Sequence, residues 1–215
     1  MAAPTDNTVF EYRGVSDLVY AEVTADTAEN YTTGEVKPLA GLANVTRSKE
    51  TSSEAHYYDN VPKIVITAEG NDTVTFTVSA IPLPVLADIN GKLYDEALGA
   101  LIDQPASTKY FAVGYKTQTT DGHEMYVWRY KGQFSVPDEN INTKDNGTEA
   151  SGQELTFTGV ATTHEFTKGG SVPSMTVDTT LGLADVSTFF AKVTTPDMLK
   201  PVGAGGDGGD GGAGG

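Results

Sequence analysis

Residues 110–134, YFAVGYKTQTTDGHEMYVWRYKGQF, read as two long strands, 109–117 and 123–134, reversed at Asp121-Gly122. An Asp-Gly pair between two runs rich in aromatic and β-branched residues commits those runs to pair antiparallel. Tyr126, Trp128 and Tyr130 fall on one side of the second strand, and Met125, Val127 and Arg129 on the other. Successive strand residues alternate faces. Broad rings pack well across neighbouring strands, so Trp128 is expected to be buried as a packing group. A hairpin alone is marginal in water, so the rest of the chain must supply more sheet.

It does so on both sides of this hairpin. TVTFTVSA places Val74, Phe76 and Val78 on one face and Thr73, Thr75 and Thr77 on the other, the pattern of a strand with one wet face. KIVITAEG precedes it, with Ile64, Ile66 and Ala68 on one parity, and Glu69-Gly70-Asn71-Asp72 reads as a hairpin turn between the two. Shorter strands are expected near 10–13, 18–23 and 43–50, with loop over 24–41. ELTFTGVATTHEFT (154–167) reads as a later pair of strands. Helical spacing is confined to two places. Leu83, Leu86 and Ile89, with Pro84 in the first turn and Asn90-Gly91 as a stop, predict a helix over 84–90, and a further turn over 93–99. LADVSTFFAKVT (183–194), capped by Asp185 or Ser187 and stopped by Pro196, predicts a second. The expected fold is therefore mainly β with one or two short helices, and a long polar loop over 137–152.

The organisation expected for this chain is a polar arm over 1–9, one domain over 10–200 and a Gly/Asp tail over 201–215. Residues 203–215 contain only glycine, alanine and aspartate, which have almost nothing to bury. Truncation after Val202 is expected to leave folding and assembly intact.

Composition removes several classes of function. A formal net charge of −15 opposes nonspecific nucleic-acid binding, which relies on clustered cations. The chain has no cysteine, so disulfides and thiolate chemistry are excluded. No stretch approaches the roughly 18 apolar residues of a membrane-spanning helix, and MAAPTDNTVFEYRG lacks the basic and apolar regions of a signal peptide. The sequons at Asn30, Asn44, Asn71 and Asn146 are then read as chance. His56, His123 and His164 are widely spaced, and neither HEMYV nor HEFTK completes the HExxH zinc motif. DENINTKDNGTE (138–149) is rich in oxygen ligands, with Asp138, Asn140, Asn142 and Glu149, but Thr143 stands where a calcium loop requires glycine. Phosphate loops and nucleophile elbows are absent. No catalytic, cofactor-binding or metal residue is assigned, and no cofactor is expected. Two other classes stay open: a carbohydrate-binding module using Tyr126, Trp128 and Tyr130 as an exposed stacking face, and a hydrolase with a spatially assembled carboxylate pair.

Four segments together resemble one family. They are EYRGVSDLVYAEVT (11–24), KPLAGLANVTRSKETSSEAHYYDN (37–60), KYFAVGYKTQTTDGHEMYVWRYKGQFSVPDENINTK (109–144) and ELTFTGVA (154–161). Their order and spacing resemble the major tail proteins of long-tailed bacteriophages of Gram-positive hosts, the building blocks of the tail tube. The resemblance implies a β-sandwich or barrel and a noncatalytic structural role in the virion, after synthesis in the host cytoplasm. It implies homo-hexameric rings stacked into a hollow tube around the tape-measure protein, with tail-terminator and distal tail proteins as partners. DNA would then transit without specific binding, and no membrane is involved. Some relatives carry an Ig-like domain after this position, where this chain has Gly-Asp repeats.

Overall fold

A computed structural model describes residues 9–105, 108–137 and 152–203. The readings made for residues 1–8, for the oxygen-rich run 138–149 and for 204–215 lie outside the described residues.

In chain order the elements are β1 (Tyr12–Asp26), β2 (Tyr31–Thr33), β3 (Lys37–Pro38), β4 (Leu42–Tyr58), β5 (Val61–Val78), α1 (Leu83–Asn90), β6 (Leu93–Asp95), β7 (Ala100–Ile102), β8 (Phe111–Thr119), β9 (Glu124–Phe134), β10 (Gln153–Gly159) and β11 (Ser174–Asp178). The main sheet is antiparallel, in the order β2-β1-β8-β9-β10-β5-β4. β11 continues along β9 where β10 ends, and β3 adds to β1. The fold is mainly β, as expected. It is one antiparallel sheet that curls towards a barrel, bringing β1 near β4, without closing by pairing, and a separate β6–β7 hairpin lies off it.

No second sheet is required, because the sheet curls over its own concave face, where Phe76 of β5 meets Tyr115 of β8 with ring centroids 5.7 Å apart, and other segments cover the rest. On one face, Tyr20, Phe76, Phe111, Val113, Tyr115, Val127, Leu155 and Phe157 form a core with Leu86 and Ile89 of α1. On the other, Trp128 and Tyr130 pack with Ala21, Ala112, Phe166, Phe189 and Val193. The central strands β8 and β9 are consequently buried on both sides over Phe111–Tyr115 and Val127–Tyr130. Gly132 sits where a Cβ would come within 2.4 Å of Phe157 Cζ and 2.5 Å of the Thr158 carbonyl oxygen, so β9 and β10 approach as only glycine permits.

α1 begins behind Pro82 and ends at Gly91 in the left-handed conformation, φ 63°, which satisfies the predicted stop. The expected C-terminal helix over 183–194 is instead a series of turns. Its groups are spent elsewhere. Asp185 Oδ1 accepts the Ser187 N–H at 3.0 Å, and the Phe189 carbonyl accepts Trp128 Nε1 at 3.0 Å and Thr194 Oγ1 at 3.0 Å. The segment folds around the tryptophan it covers rather than around its own axis.

The hairpin of β8 and β9 lies where expected, with Gly122 at φ 88°. The turn expected at 69–72 does not form. β4 and β5 are instead one long hairpin whose two-residue turn is Asp59-Asn60, φ 52° and 64°, the signs of a type I′ reversal. Gly70 marks a register shift between the Lys49↔Asp72 and Thr51↔Glu69 pairs, and a Cβ there would lie 2.9 Å from Glu50 Cβ. A glycine read as a turn is thus a bulge within a strand. The strands expected at 10–13 and 18–23 merge into β1, which absorbs irregular register at Gly14 and Asp17. Of the strand pair expected over 154–167, only β10 forms, because the following residues leave the sheet to hold Asp26 of β1.

Candidate assembly surface

Buried polar groups fix the frame. Asp72 of β5, 2% exposed, accepts Arg47 Nε at 2.8 Å and Arg47 Nη2 at 3.2 Å from β4, and Arg129 Nη1 from β9. Arg129 is itself 3% exposed and also reaches the Tyr115 hydroxyl at 3.4 Å. Asp88 of α1 gathers the Tyr20 hydroxyl at 3.0 Å, Lys37 at 2.9 Å and Lys109 at 3.4 Å. Burial pushes the Asp88 carboxyl up, but these hydrogen bonds and the two ammonium charges more than offset it and hold the group below its ordinary range. Asp26 accepts Lys131 Nζ at 2.5 Å and the backbone N–H groups of Thr163 and His164, which pins the 160–167 segment to the end of β1.

None of these clusters joins the residues weighed for chemistry. His56 lies near the tip of the β4–β5 hairpin, His123 follows the β8–β9 turn, and His164 packs edge-on against Phe166. Among the described residues no group of three His, Cys, Asp or Glu is placed to hold a metal ion. The aromatic stripe is not an exposed platform. Trp128 and Tyr130 are both 0% exposed, with Tyr130 Oη donating to the Thr194 carbonyl at 3.0 Å. Their burial corrects the carbohydrate-stacking alternative, which needs those rings open to a ligand.

What the fold leaves open is of three kinds. The first is edge. Among the described residues β4, 17 residues long, pairs only with β5, and β1, last in the pairing order, is covered only by the short β2 and β3; the sheet curls so that β1 comes alongside the base of β4 without pairing to it. Long free edges invite further strands. The second is a hydroxyl face. Thr75 of β5 stands between Thr46 of β4 and Thr156 of β10, and Thr73 between Ser48 and Thr158. Thr77 lies between Asn44 and Glu154 on the same face. These side chains are half-buried or exposed, and none is a cation. Arg47 belongs to the opposite face with Asp72 and Val74.

The third is an arm. β10 ends at Gly159 opposite Asp72, so beyond that point β5 has lost one neighbour and continues with β4 alone. From Thr51↔Glu69 to Tyr58↔Val61 the ladder projects with both faces open. It carries Tyr57, Tyr58, Val61, Ile64, Val65 and Ile66, all about half exposed or more. The sequence held the signal: an apolar run, VPKIVIT, directly behind Asp59-Asn60 and opposite the polar TSSEAH. Placing the turn at 69–72 concealed it.

With an open sheet, a hydroxyl face and an arm in view, the comparisons are decisive. The family model described as phage tail tube protein matches residues 40–182, well over half of the chain. This chain belongs to the phage tail tube protein family. It is a noncatalytic structural protein of the virion tail, and no helix among the described residues is long and apolar enough to cross a membrane. The matched span contains the arm, the hydroxyl face and the β8–β9 hairpin. No curated protein matches. A solved structure, the six-fold symmetrised baseplate of the anti-feeding prophage, is similar at 11% identity and a TM-score of 0.34, covering 82% of this chain and 97% of that one. A likeness at that level carries no weight for fold or function.

Proposed function

We propose that copies of this tail tube protein form six-membered rings through their free sheet edges, and that the rings stack into a tube enclosing the tape-measure protein before DNA passes. The hydroxyl face of β4, β5 and β10 carries this reading. A conduit for a polyanion needs a wetted wall without cations on which phosphates would pause. This face offers threonine and serine, with Glu154 as its charge. Lys131, nearby on β9, is neutralised by Asp26. Continuing the sheet from copy to copy along β4 and β1 also removes the edges that an isolated subunit leaves open. Tail-terminator and distal tail proteins would meet the ends of the tube.

Thr75→Cys tests the placement, because the chain has no other cysteine. In assembled tubes a small maleimide should label it, while a bulky polymer-linked maleimide should react far more slowly than it does with the lone subunit. Equal labelling by the bulky reagent in both states would put the face on the outer wall and overturn the reading. Electron microscopy of the same sample reads the ring symmetry, and rings of another order would refute the hexamer.

A further inference from the structure

The seam where β1 comes alongside β4 without pairing holds a cleft of about 450 Å³, to which β8, β9 and β11 also contribute. That is the size of a small-ligand pocket. Val15, Val45, Met125 and Val127 supply apolar walls. The charges around it do not balance. Arg47 and Arg129 both line the cleft, and among the described residues no acidic residue does. Asp72 is the one carboxylate that both guanidinium groups reach. Arginine stays protonated under all ordinary conditions, so one positive charge is left over at this point of a chain whose net charge is −15.

The hydrogen-bond donors do not balance either. Asp72 accepts from Nε and Nη2 of Arg47, which uses one edge of the guanidinium. The other edge, Nη1 with the second hydrogen of Nη2, has no acceptor among the described residues, and the side chain is 47% exposed. Arg129 is buried, with Nη1 on Asp72, Nη2 on the Tyr115 hydroxyl and Nε without a partner. We propose that the cleft binds a carboxylate carried on a short aliphatic stem. The carboxylate lies on the open edge of Arg47, whose planar fork matches it bidentately. The stem lies against Val15, Val45, Met125 and Val127. Arg129 acts at a distance, because its charge sits beneath apolar walls where water screens it poorly. A monoanion cancels the surplus charge, whereas a doubly charged phosphate would bring a second charge against those walls. Asp72 keeps its own hydrogen bonds throughout, so the root of the arm holds its frame with the ligand bound.

Methionine-methyl NMR of the unassembled full chain reads the site directly. Met125 lines the cleft, while Met175 packs on the opposite face of the sheet. Sodium hexanoate should shift the Met125 signal saturably and leave Met175 in place. It should bind roughly tenfold tighter than acetate, which has no stem to bury. Arg47→Gln should weaken hexanoate roughly tenfold, and Arg47→Lys should fall between, since it keeps the charge and loses the fork. Both variants change a half-exposed side chain, and the circular dichroism of each should match the wild type. N-acetylglutamate amide, titrated alongside, identifies the source of the carboxylate. Tighter binding than hexanoate assigns the cleft to an acidic side chain of a polypeptide, and weaker binding to a free aliphatic acid. No Met125 shift with either probe, equal affinity for acetate and hexanoate, or Arg47→Gln binding as tightly as wild type overturns the proposal. Inorganic phosphate binding more tightly than hexanoate overturns the choice of a carboxylate.

Discussion

Replacing Asp72 by asparagine isolates the groups that fix the root of the arm. The wild-type carboxylate is 2% exposed and accepts three guanidinium N–H groups, two from Arg47 and one from Arg129. The two arginines are not equivalent. The Arg47 side chain is 47% exposed and regains water when its partner is lost, so its share is about 0–1 kcal/mol. Arg129 has no such recourse. Its Nε already lacks a partner, and without Asp72 it keeps only the 3.4 Å contact with Tyr115. Stranding a buried cation costs about 3–5 kcal/mol, which sets the expected loss for Asp72→Asn. Urea unfolding of the unassembled subunit, followed by Trp128 fluorescence, measures it. Asp72→Leu combined with Arg129→Met should recover most of the loss, since removing both charges leaves nothing stranded. A single-variant loss under about 1 kcal/mol, or a double variant no more stable than the single, would refute the reasoning.

Gly132→Ala drives a methyl into the Phe157 ring and the Thr158 carbonyl oxygen, and should cost about 1–3 kcal/mol in the same urea assay; an unchanged midpoint would show that β9 and β10 separate freely. Asp26 supplies acid sensitivity: burial raises its carboxyl, but Lys131 and the N–H groups of Thr163 and His164 outweigh that and depress it below its unfolded value. A depressed folded value gives stability that is full above the unfolded value of about 3.9 and is lost as pH falls through the folded one, so Asp26→Asn should destabilise at pH 7 and flatten the acid limb of a stability–pH curve. An acid limb identical to wild type would place the sensitivity elsewhere.

Strand content was legible because period two is a local property. Val74, Phe76 and Val78 are buried and Thr73, Thr75 and Thr77 are not, as their alternation implied. The β8–β9 hairpin and α1 were legible for the same reason, through Asp121-Gly122 and through Pro84 with Asn90-Gly91. The β4–β5 turn was not, because Glu69-Gly70-Asn71-Asp72 and Asp59-Asn60 are both acceptable turn chemistry. Local propensity cannot choose between them. Register chose: pairing Val74 with Arg47 and Phe76 with Val45 aligns the buried face of β5, and the reversal then falls at Asp59-Asn60. The C-terminal segment failed as a helix for a similar reason. Its periodicity was sound, yet the Phe189 carbonyl serves the indole of Trp128, 61 residues away in sequence.

The candidate surface divides along the same line. Its materials, the threonine alternation, the apolar run at 61–66 and the excess of acid over base, were fixed by the sequence alone, since composition and period are properties of the chain. Their meaning depended on which strands became neighbours. Thr75 belongs to a hydroxyl face only because β4 and β10 flank it with Thr46 and Thr156. Ile64 and Ile66 are exposed only because β10 stops at Gly159 and leaves β4 and β5 to run on alone. A strand's alternation decides which residues share a side; the length of the neighbouring strand decides whether that side is covered, and that length is set by contacts far apart in the chain.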